Sequence, residues 1–174
     1  MYRILLRAPE PDDLDLLYIW ENDQSLWQLS NTVAPLSRFV LRQYLENAHK
    51  DIYEIKQLRL MIELEQEGFK TAIGAIDLFD FDPAHARAGV GILIASEGNR
   101  KNGYASQALE KLIDYAFNTL MLKQLFCNIL PDNLPSIAVF EKFGFRQCGL
   151  KKDWVKTIEG FKDELMYQLI NERY

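Results

Sequence analysis

The segment best suited to chemistry is a glycine-containing loop that leads into an amphipathic helical pattern, SEGNRKNGYASQAL at residues 96–109. From Gly98 to Gly103 it approaches the phosphate-loop pattern Gly-x-x-x-x-Gly-Lys-Ser/Thr, but Tyr104 and Ala105 stand where the lysine and the hydroxyl residue belong. Without those side chains the loop lacks ligands for a nucleotide's outer phosphates and for Mg²⁺. A nucleotide hydrolase is therefore not indicated.

The features that remain in this loop suit a pyrophosphate bound without a metal. The first N–H groups of a helix have no helical partner, and the helix dipole adds partial positive charge there. Arg100 and Lys101 supply full positive charges, while the small Ala105 and Ser106 let a ligand approach the backbone. The alternative is a simple glycine turn with solvated charges, and the loop and helix alone leave both interpretations open.

Two ordered segments carry a resemblance to a known family. Arg100, Gly103 and Ala105, behind the apolar run VGILIA, resemble the acetyl-CoA-binding motif R-x-x-G-x-A of the GNAT family of N-acetyltransferases. LPDNLPSIAVFEKFGF, at residues 130–145, resembles the family's second strand-to-helix segment. Both ends of the chain also resemble the ribosomal-protein and diamine or spermidine branch, so the resemblance covers nearly the whole sequence.

This resemblance implies where acetyl-CoA binds. The pantetheine arm would pair with the backbone of about Ile92 to Ile94, and the pyrophosphate would lie on amides from Arg100 to Ser106. Asn133 would lie beside the pantetheine. The implied cofactor contacts are Ile92, Leu93, Ile94, Arg100, Lys101, Asn102, Gly103, Tyr104, Ala105, Ser106, Asn133, Ser136, Phe140 and Lys142.

The implied reaction is direct attack of an amine on the thioester. A backbone N–H near Ile94 would donate to the developing oxyanion. In the family a tyrosine often protonates the leaving thiolate, but this chain has Phe140 at that position. Because a thiol of pKa ~8.5 can leave as thiolate, the departure removes a favourable residue without excluding the reaction.

A general base is harder to assign. Relatives often have a glutamate where this chain has Gly89. We predict that Asp77, inside an apolar strand, is an acceptor ligand or a water-relayed base; alternatively, backbone groups or Arg87 satisfy its carboxylate. Asp80 and Glu21 are further predicted acceptor ligands, and for Glu21 an exposed loop charge is the alternative.

The elements that must position these residues follow from the hydrophobic pattern. Leu58–Leu64 alternates, with Arg59, Met61 and Glu63 on the polar face, and predicts a half-buried strand. Val90–Ala95 is a continuous apolar run typical of a central strand, and a helix follows the loop. The order β-α-α-α-β-β-β-α-β-α-β-β predicts an α/β (α+β) single domain over residues 1–174. The resemblance adds a mixed, mostly antiparallel sheet of about seven strands, splayed between Val90–Ala95 and Lys123–Leu130.

Composition and charge bear on nucleic-acid binding, membrane association, metal binding and location. The chain has 174 residues, 48% of them apolar, and a net charge of −5, which argues weakly against nucleic acid and anionic membranes. Cys127 and Cys148 fit reduced thiols, and lone His49 and His85 suggest no metal. No apolar run approaches a membrane span and no signal peptide is evident, so we expect a cytoplasmic protein. A homo-oligomer is compatible with the sequence.

The functional expectation is an acetyl-CoA-dependent N-acetyltransferase of small primary amines. Polyamines or diamines are preferred, because the acidic charge balance and the resemblance of the late strands to the diamine or spermidine branch support them. A protein N-terminal amine is the alternative acceptor. A non-catalytic acyl-CoA-binding module is the alternative of a different class, and Gly89 and Phe140 favour it.

Overall fold

A computed structural model describes residues 2–30 and 32–174. The elements, in chain order, are β1 (Tyr2–Arg7), α1 (Leu14–Glu21), α2 (Gln24–Ser30), α3 (Arg38–Glu46), α4 (Ile52–Ile55), β2 (Leu58–Gln66), β3 (Phe69–Asp82), β4 (Arg87–Ile94), α5 (Tyr104–Asn118), β5 (Gln124–Ile129), α6 (Leu134–Lys142), β6 (Arg146–Thr157) and β7 (Gly160–Ile170). The order agrees with the sequence pattern, except that the short helix α4 was not predicted. Its cap is Asp51, whose side chain accepts from the N–H of Glu54.

Within the described residues the strands form one seven-stranded sheet in the order β1-β2-β3-β4-β5-β7-β6. All neighbours are antiparallel except β4 and β5, which run parallel. Their pairing, among the described residues, is confined to 87–89 with 124–126. Beyond this point β4 stays paired with β3 and β5 with β7. The sheet therefore opens between β4 and β5, which confirms the predicted splay.

Helices cover both faces of the sheet. On one face, Leu109 and Leu112 of α5 are fully buried with Leu125 of β5. On the other, Leu17 of α1 packs with Met61 of β2 in a separate cluster. Met61 is fully buried, so the prediction that β2 is only half-buried is wrong: α1 and α3 cover the face that was expected to be polar.

An ion-pair cluster ties the start of α1 to the sheet. Arg7 on β1 donates from Nη1 and Nη2 to the two carboxylate oxygens of Asp13, at 2.7 and 2.8 Å, and from Nε to Glu63 on β2 at 2.9 Å. Asp13 is buried and also accepts from the N–H of Glu10. This cluster fixes where α1 leaves the sheet, and α1 carries Glu21.

We expect Asp13→Asn to lower the free energy of unfolding by about 3 kcal/mol at pH 7, because it removes one member of a largely buried pair and leaves Arg7 partly uncompensated. Burial alone raises the pKa of Asp13, but hydrogen bonds from Arg7 and Glu10 and the charge of Arg7 outweigh it and hold the pKa below its ordinary value. The stabilisation is therefore present above the unfolded pKa of about 3.9 and is lost as the pH falls through the native pKa.

Urea unfolding from pH 7 into the acid range measures both effects. Asp15→Asn is the matched control, because Asp15 pairs with Arg38 at an exposed site of the same region, where we expect at most about 0.5 kcal/mol. An equal loss in both variants would contradict the account.

Candidate active site

The loop before α5 encloses a cavity of about 370 Å³ with the open end of β4 and the start of α6. We call it the loop cavity. It brings together most of the residues predicted to contact acetyl-CoA: Ile92, Leu93, Ile94, Arg100, Lys101, Gly103, Tyr104, Ala105, Ser106, Asn133 and Ser136. Asn99, Pro135 and Val139 also line it and were missed. Val139 lies one helical turn from Pro135 and Ser136, a spacing that could have indicated it.

Three residues predicted to bind the cofactor do not line the loop cavity. Asn102 is exposed and donates from its side chain to the carbonyl of Gly98 at 3.1 Å. Phe140 is buried with its ring 4.9 Å from that of Phe145. Lys142 is exposed at the end of α6, and its ammonium lies 5.4 Å from the centre of the Phe143 ring.

Gly103 gives the loop its shape. It caps α5 with φ +79°, in the left-handed region, and a Cβ placed there would find no described heavy atom within 4 Å. The N–H of Gln107 makes the first helical bond, to the carbonyl of Gly103 at 3.2 Å. The N–H groups of residues 104–106 therefore have no partner in the helix, and these residues line the loop cavity together with Gly103, which leaves the space beside them free of a side chain. This arrangement suits an anionic group.

Arg100 is an anchor for the loop. Its guanidinium donates to the carbonyls of Ile94 and Ala95, each at 3.1 Å. These contacts give Arg100 a structural role that was not predicted, and its role as a charge beside a phosphate stays a prediction. Lys101 is exposed and also lines the cavity.

The backbone of Ile94 faces the open edge of β4. The N–H of Ala95 donates to the carbonyl of Ile73 on β3. Since neighbouring residues of a strand point their backbone groups to opposite edges, the N–H and carbonyl of Ile94 point away from β3. The carbonyl of Ile94 accepts a hydrogen bond from Arg100. The N–H of Ile94 points to the open edge, where the sequence predicted a backbone donor for the oxyanion.

A second cavity, of about 350 Å³, lies on the other side of β4, and we call it the ion-pair cavity. Asp77 accepts from Nε and Nη2 of Arg59 at 2.8 and 2.9 Å, and Nη1 of Arg59 donates to Glu21 at 2.8 Å. Arg59 was not predicted, and the suggested partner of Asp77, Arg87, is wrong because Arg87 pairs with Asp82. Glu21 is not a simple exposed charge, since its side chain is only 18% exposed.

This network changes what Asp77 can do. Both of its oxygens already accept hydrogen bonds from Arg59, so the carboxylate is held in place as one half of an ion pair. Burial alone lowers the pKa of Arg59, but hydrogen bonds and charge from Asp77, with Tyr44 and Glu21, raise it above its ordinary value. Arg59 therefore stays charged, and the three groups Glu21, Arg59 and Asp77 sum to −1.

Asp80, the third predicted acceptor ligand, does not line the ion-pair cavity. It lies in an irregular stretch of β3 with φ +47°. Its cavity is shared with Asp82 and Arg87. Neither Glu21 nor Asp77 lines that cavity, so the structure does not bring Asp80 to the other predicted acceptor residues.

The ring of Phe79 explains Gly89. A Cβ added to Gly89 would lie 2.3 Å from a ring carbon of Phe79. The ring is held in place by Phe126 at 5.7 Å, centre to centre. Phe79 thus fills the space that a side chain at position 89 would need, which excludes a carboxylate there without repacking.

These features were compared with known proteins. A family model described as an acetyltransferase (GNAT) domain matches residues 3–146. The chain belongs to the GNAT acetyltransferase family. It is 27% identical to an uncharacterized N-acetyltransferase p20 of Bacillus licheniformis (99% of this chain, 95% of the relative), and 26% identical to a spermidine N(1)-acetyltransferase of Vibrio cholerae (84% and 81%). It is thus an acetyl-CoA-dependent N-acetyltransferase.

A crystal structure of the Vibrio cholerae spermidine N-acetyltransferase with CoA and spermine matches the fold of this GNAT domain with a TM-score of 0.82. The two are 22% identical, over 96% of this chain and 95% of the other. Residues 2–30 and 32–174 contain no His, Cys, Asp and Glu group suited to a metal. In the same residues no helix is long and apolar enough to cross a membrane.

A smaller cavity of about 110 Å³ lies between β4 and β5 in this GNAT domain and shares lining residues with each of the other two; we call it the cleft cavity. Phe140 and Cys127 line it. Burial raises the pKa of the Cys127 thiol, so it stays protonated and is a poor nucleophile. Asn128 and Glu164 also line it, and sequence reasoning missed both because they lie in strands without a local motif.

Proposed function

We propose that this enzyme transfers the acetyl group of acetyl-CoA to a small primary amine, by direct attack in a ternary complex. One observation carries the proposal: the loop cavity and the ion-pair cavity lie on opposite sides of β4 and share Ile92 and Leu93 as lining residues. A thioester reaching the open edge of β4 from the loop cavity would meet an amine that enters from the ion-pair cavity.

The cofactor side is built from backbone donors. The free N–H groups of residues 104–106 and the charge of Lys101 would hold the pyrophosphate. The open edge of β4 would pair with the pantetheine amides. Asn133 accepts from the N–H of Ser136 at 3.3 Å through Oδ1, so its side-chain N–H₂ group remains available to donate to a pantetheine carbonyl. Acetyl-CoA itself supplies the activated acetyl group.

The acceptor side favours one ammonium group. Glu21, Arg59 and Asp77 together carry −1, so a single ammonium balances the cavity, while Trp20 and Phe79 offer apolar walls. Asp77, whose two oxygens Arg59 already holds, would then act as an acceptor ligand. The Vibrio cholerae relatives support polyamines or diamines, which remain the first acceptors to test. A protein N-terminal amine is the alternative, and a homo-oligomer remains a prediction.

Thiol release from acetyl-CoA, measured with and without an amine, tests this function. We expect release to depend on the amine and an N-acetylated product to appear by mass spectrometry. A panel of hexylamine, 1,6-diaminohexane, spermidine and a short peptide separates the acceptor classes. Because the ion-pair cavity balances one charge, we expect hexylamine and diaminohexane to differ by less than about tenfold in kcat/KM, a difference of about 1.4 kcal/mol. Release that no amine increases would contradict the proposal.

A further inference from the structure

A polar cluster lies on the β5 side of the cleft. Lys151 on β6 donates from its ammonium to the Asn128 side-chain oxygen on β5 at 2.9 Å and to Glu164 on β7 at 2.8 Å. Glu164 is 8% exposed and pairs directly across the strands with Lys151. The ammonium also lies 5.2 Å from the centre of the Trp154 ring. The position of Lys151 is therefore fixed by contacts on several sides.

This arrangement fixes which way the Asn128 amide points. An ammonium donates hydrogen bonds and accepts none, so the group facing Lys151 must be the carbonyl oxygen of the amide. The N–H₂ group of Asn128 then points away from Lys151. The positive charge on the oxygen side also polarises the amide and strengthens its N–H groups as donors.

Asn128 lies where the reacting groups would meet. It lines both the cleft cavity and the ion-pair cavity. Asn133 and Ser136 line both the cleft cavity and the loop cavity. A pantetheine chain that passes these two residues therefore leads its sulfur into the cavity that Asn128 borders.

The same cavity lacks the donor that the family resemblance implies. Phe140 occupies the place of the tyrosine and lines the cleft cavity. Its ring is packed against Phe145 and carries no proton to give. A thiolate leaving in this space needs another partner for its negative charge.

We propose that the Asn128 side-chain N–H₂ group donates a hydrogen bond to the leaving sulfur of acetyl-CoA, and that Lys151 and Glu164 are positioning residues that orient this amide. The proposal rests on the proposed function, because it needs the thioester in the cleft. The amine nitrogen bonds to the carbonyl carbon, and the C–S electron pair goes to sulfur as the bond breaks. An amine that binds as an ammonium first gives one proton to solvent; after attack the nitrogen loses a second proton, which reaches the thiolate through solvent, while Asn128 keeps its own protons throughout.

The thiol pKa of bound CoA tests this role without turnover. It is measured from the ultraviolet absorbance of the thiolate across a pH titration. The absorbance of the CoA-free protein is subtracted at each pH to remove the contribution of the exposed Cys148 thiol. We expect the pKa in the wild-type complex to lie below that of free CoA. In Asn128→Ala we expect it to rise by about one unit, a tenfold loss of thiolate at a given pH. The kcat should fall about 10²-fold, as for the loss of one oxyanion donor, with a small change in the KM for acetyl-CoA.

Lys151→Met keeps Asn128 but removes the ammonium that orients its amide. We therefore expect the thiol pKa of bound CoA to rise in this variant too. Lys152→Met is the matched control, because Lys152 is the neighbouring lysine and pairs with Asp163 at the surface; it should match wild type. A wild-type protein that binds no CoA would overturn the proposed function itself. CoA binding with the same thiol pKa in wild type, Asn128→Ala and Lys151→Met would overturn this inference alone. If Asn128→Ala does not fold, Lys151→Met decides between the two results.

Discussion

Gly103→Val is expected to weaken CoA binding by at least about 100-fold. Gly103 has φ +79°, a region that a β-branched residue adopts only at a cost of about 1–3 kcal/mol. Relief of that strain moves the N–H groups of residues 104–106, and the new side chain enters the cavity that these residues line. Loss of several aligned donors, in addition to the obstruction, accounts for the size of the effect.

Isothermal titration with CoA measures this loss, and Gly68→Val is a closely matched control. Gly68 has φ +83°, and a Cβ there would also meet no described atom within 4 Å, but it lies in the β2–β3 turn. Both variants carry similar backbone strain, so both should lose similar stability, and only Gly103→Val should lose CoA affinity. Unchanged CoA affinity in Gly103→Val would show that the loop does not hold the cofactor.

Arg59→Met is expected to lower the free energy of unfolding by about 3–5 kcal/mol, because it leaves a buried charge without its partner. Asp77 and Glu21 are each less than one-fifth exposed and would face each other with no cation between them. The double variant Arg59→Met with Asp77→Leu should recover part of the loss, since one of the two uncompensated carboxylates is then gone. Urea unfolding of the single and double variants measures both.

Arg38→Met is the control for Arg59→Met. Like Arg59, which pairs with Asp77 and lies near the Tyr44 ring, Arg38 pairs with an aspartate, Asp15, and lies over the Tyr18 ring. The Arg38 side chain, however, is 50% exposed. We expect its loss to cost at most about 1 kcal/mol. If Arg59→Met were no more destabilising than Arg38→Met, the network of Glu21, Arg59 and Asp77 would not be the stable feature described.

In the proposed site, Arg59 would also determine the charge that an acceptor meets. Its removal changes the total for Glu21, Arg59 and Asp77 from −1 to −2, so Arg59→Met should shift the preference from hexylamine toward 1,6-diaminohexane. The ratio of the two kcat/KM values is the measurement, and it is independent of the overall loss of stability. A ratio equal to that of wild type would mean that the ion-pair cavity does not bind the acceptor.

The loop cavity could be predicted from the sequence because its determinants are local. The apolar strand, the loop with Gly103 and the helix that follows are consecutive in the chain, and the free N–H groups come from the helix itself. The backbone, more than any distant side chain, forms this part of the site. Lys142 and Asn102 do not line the loop cavity, because a motif gives the order of residues but not the direction of each side chain.

The ion-pair cavity could not be predicted because its contacts are long-range. Arg59 joins Asp77 on the next strand and Glu21 on α1, which lie 18 and 38 residues away in the chain. The alternation of β2 placed Arg59 on a polar face, but the buried Met61 shows that helices cover that face. Lys151 and its partners on neighbouring strands lie in ordinary strand patterns with no signal of their joint position.

The affinity of a bisubstrate compound tests the central claim most directly, namely that cofactor and acceptor meet across the open edge of β4. Such a compound links the sulfur of CoA through an acetyl bridge to the nitrogen of hexylamine. Because both parts would occupy joined cavities at once, we expect it to bind about 10²-fold more tightly than CoA by calorimetry. Arg59→Met should reduce this gain without changing the affinity for CoA alone. Equal affinities of the wild-type enzyme for the bisubstrate compound and for CoA would contradict the account.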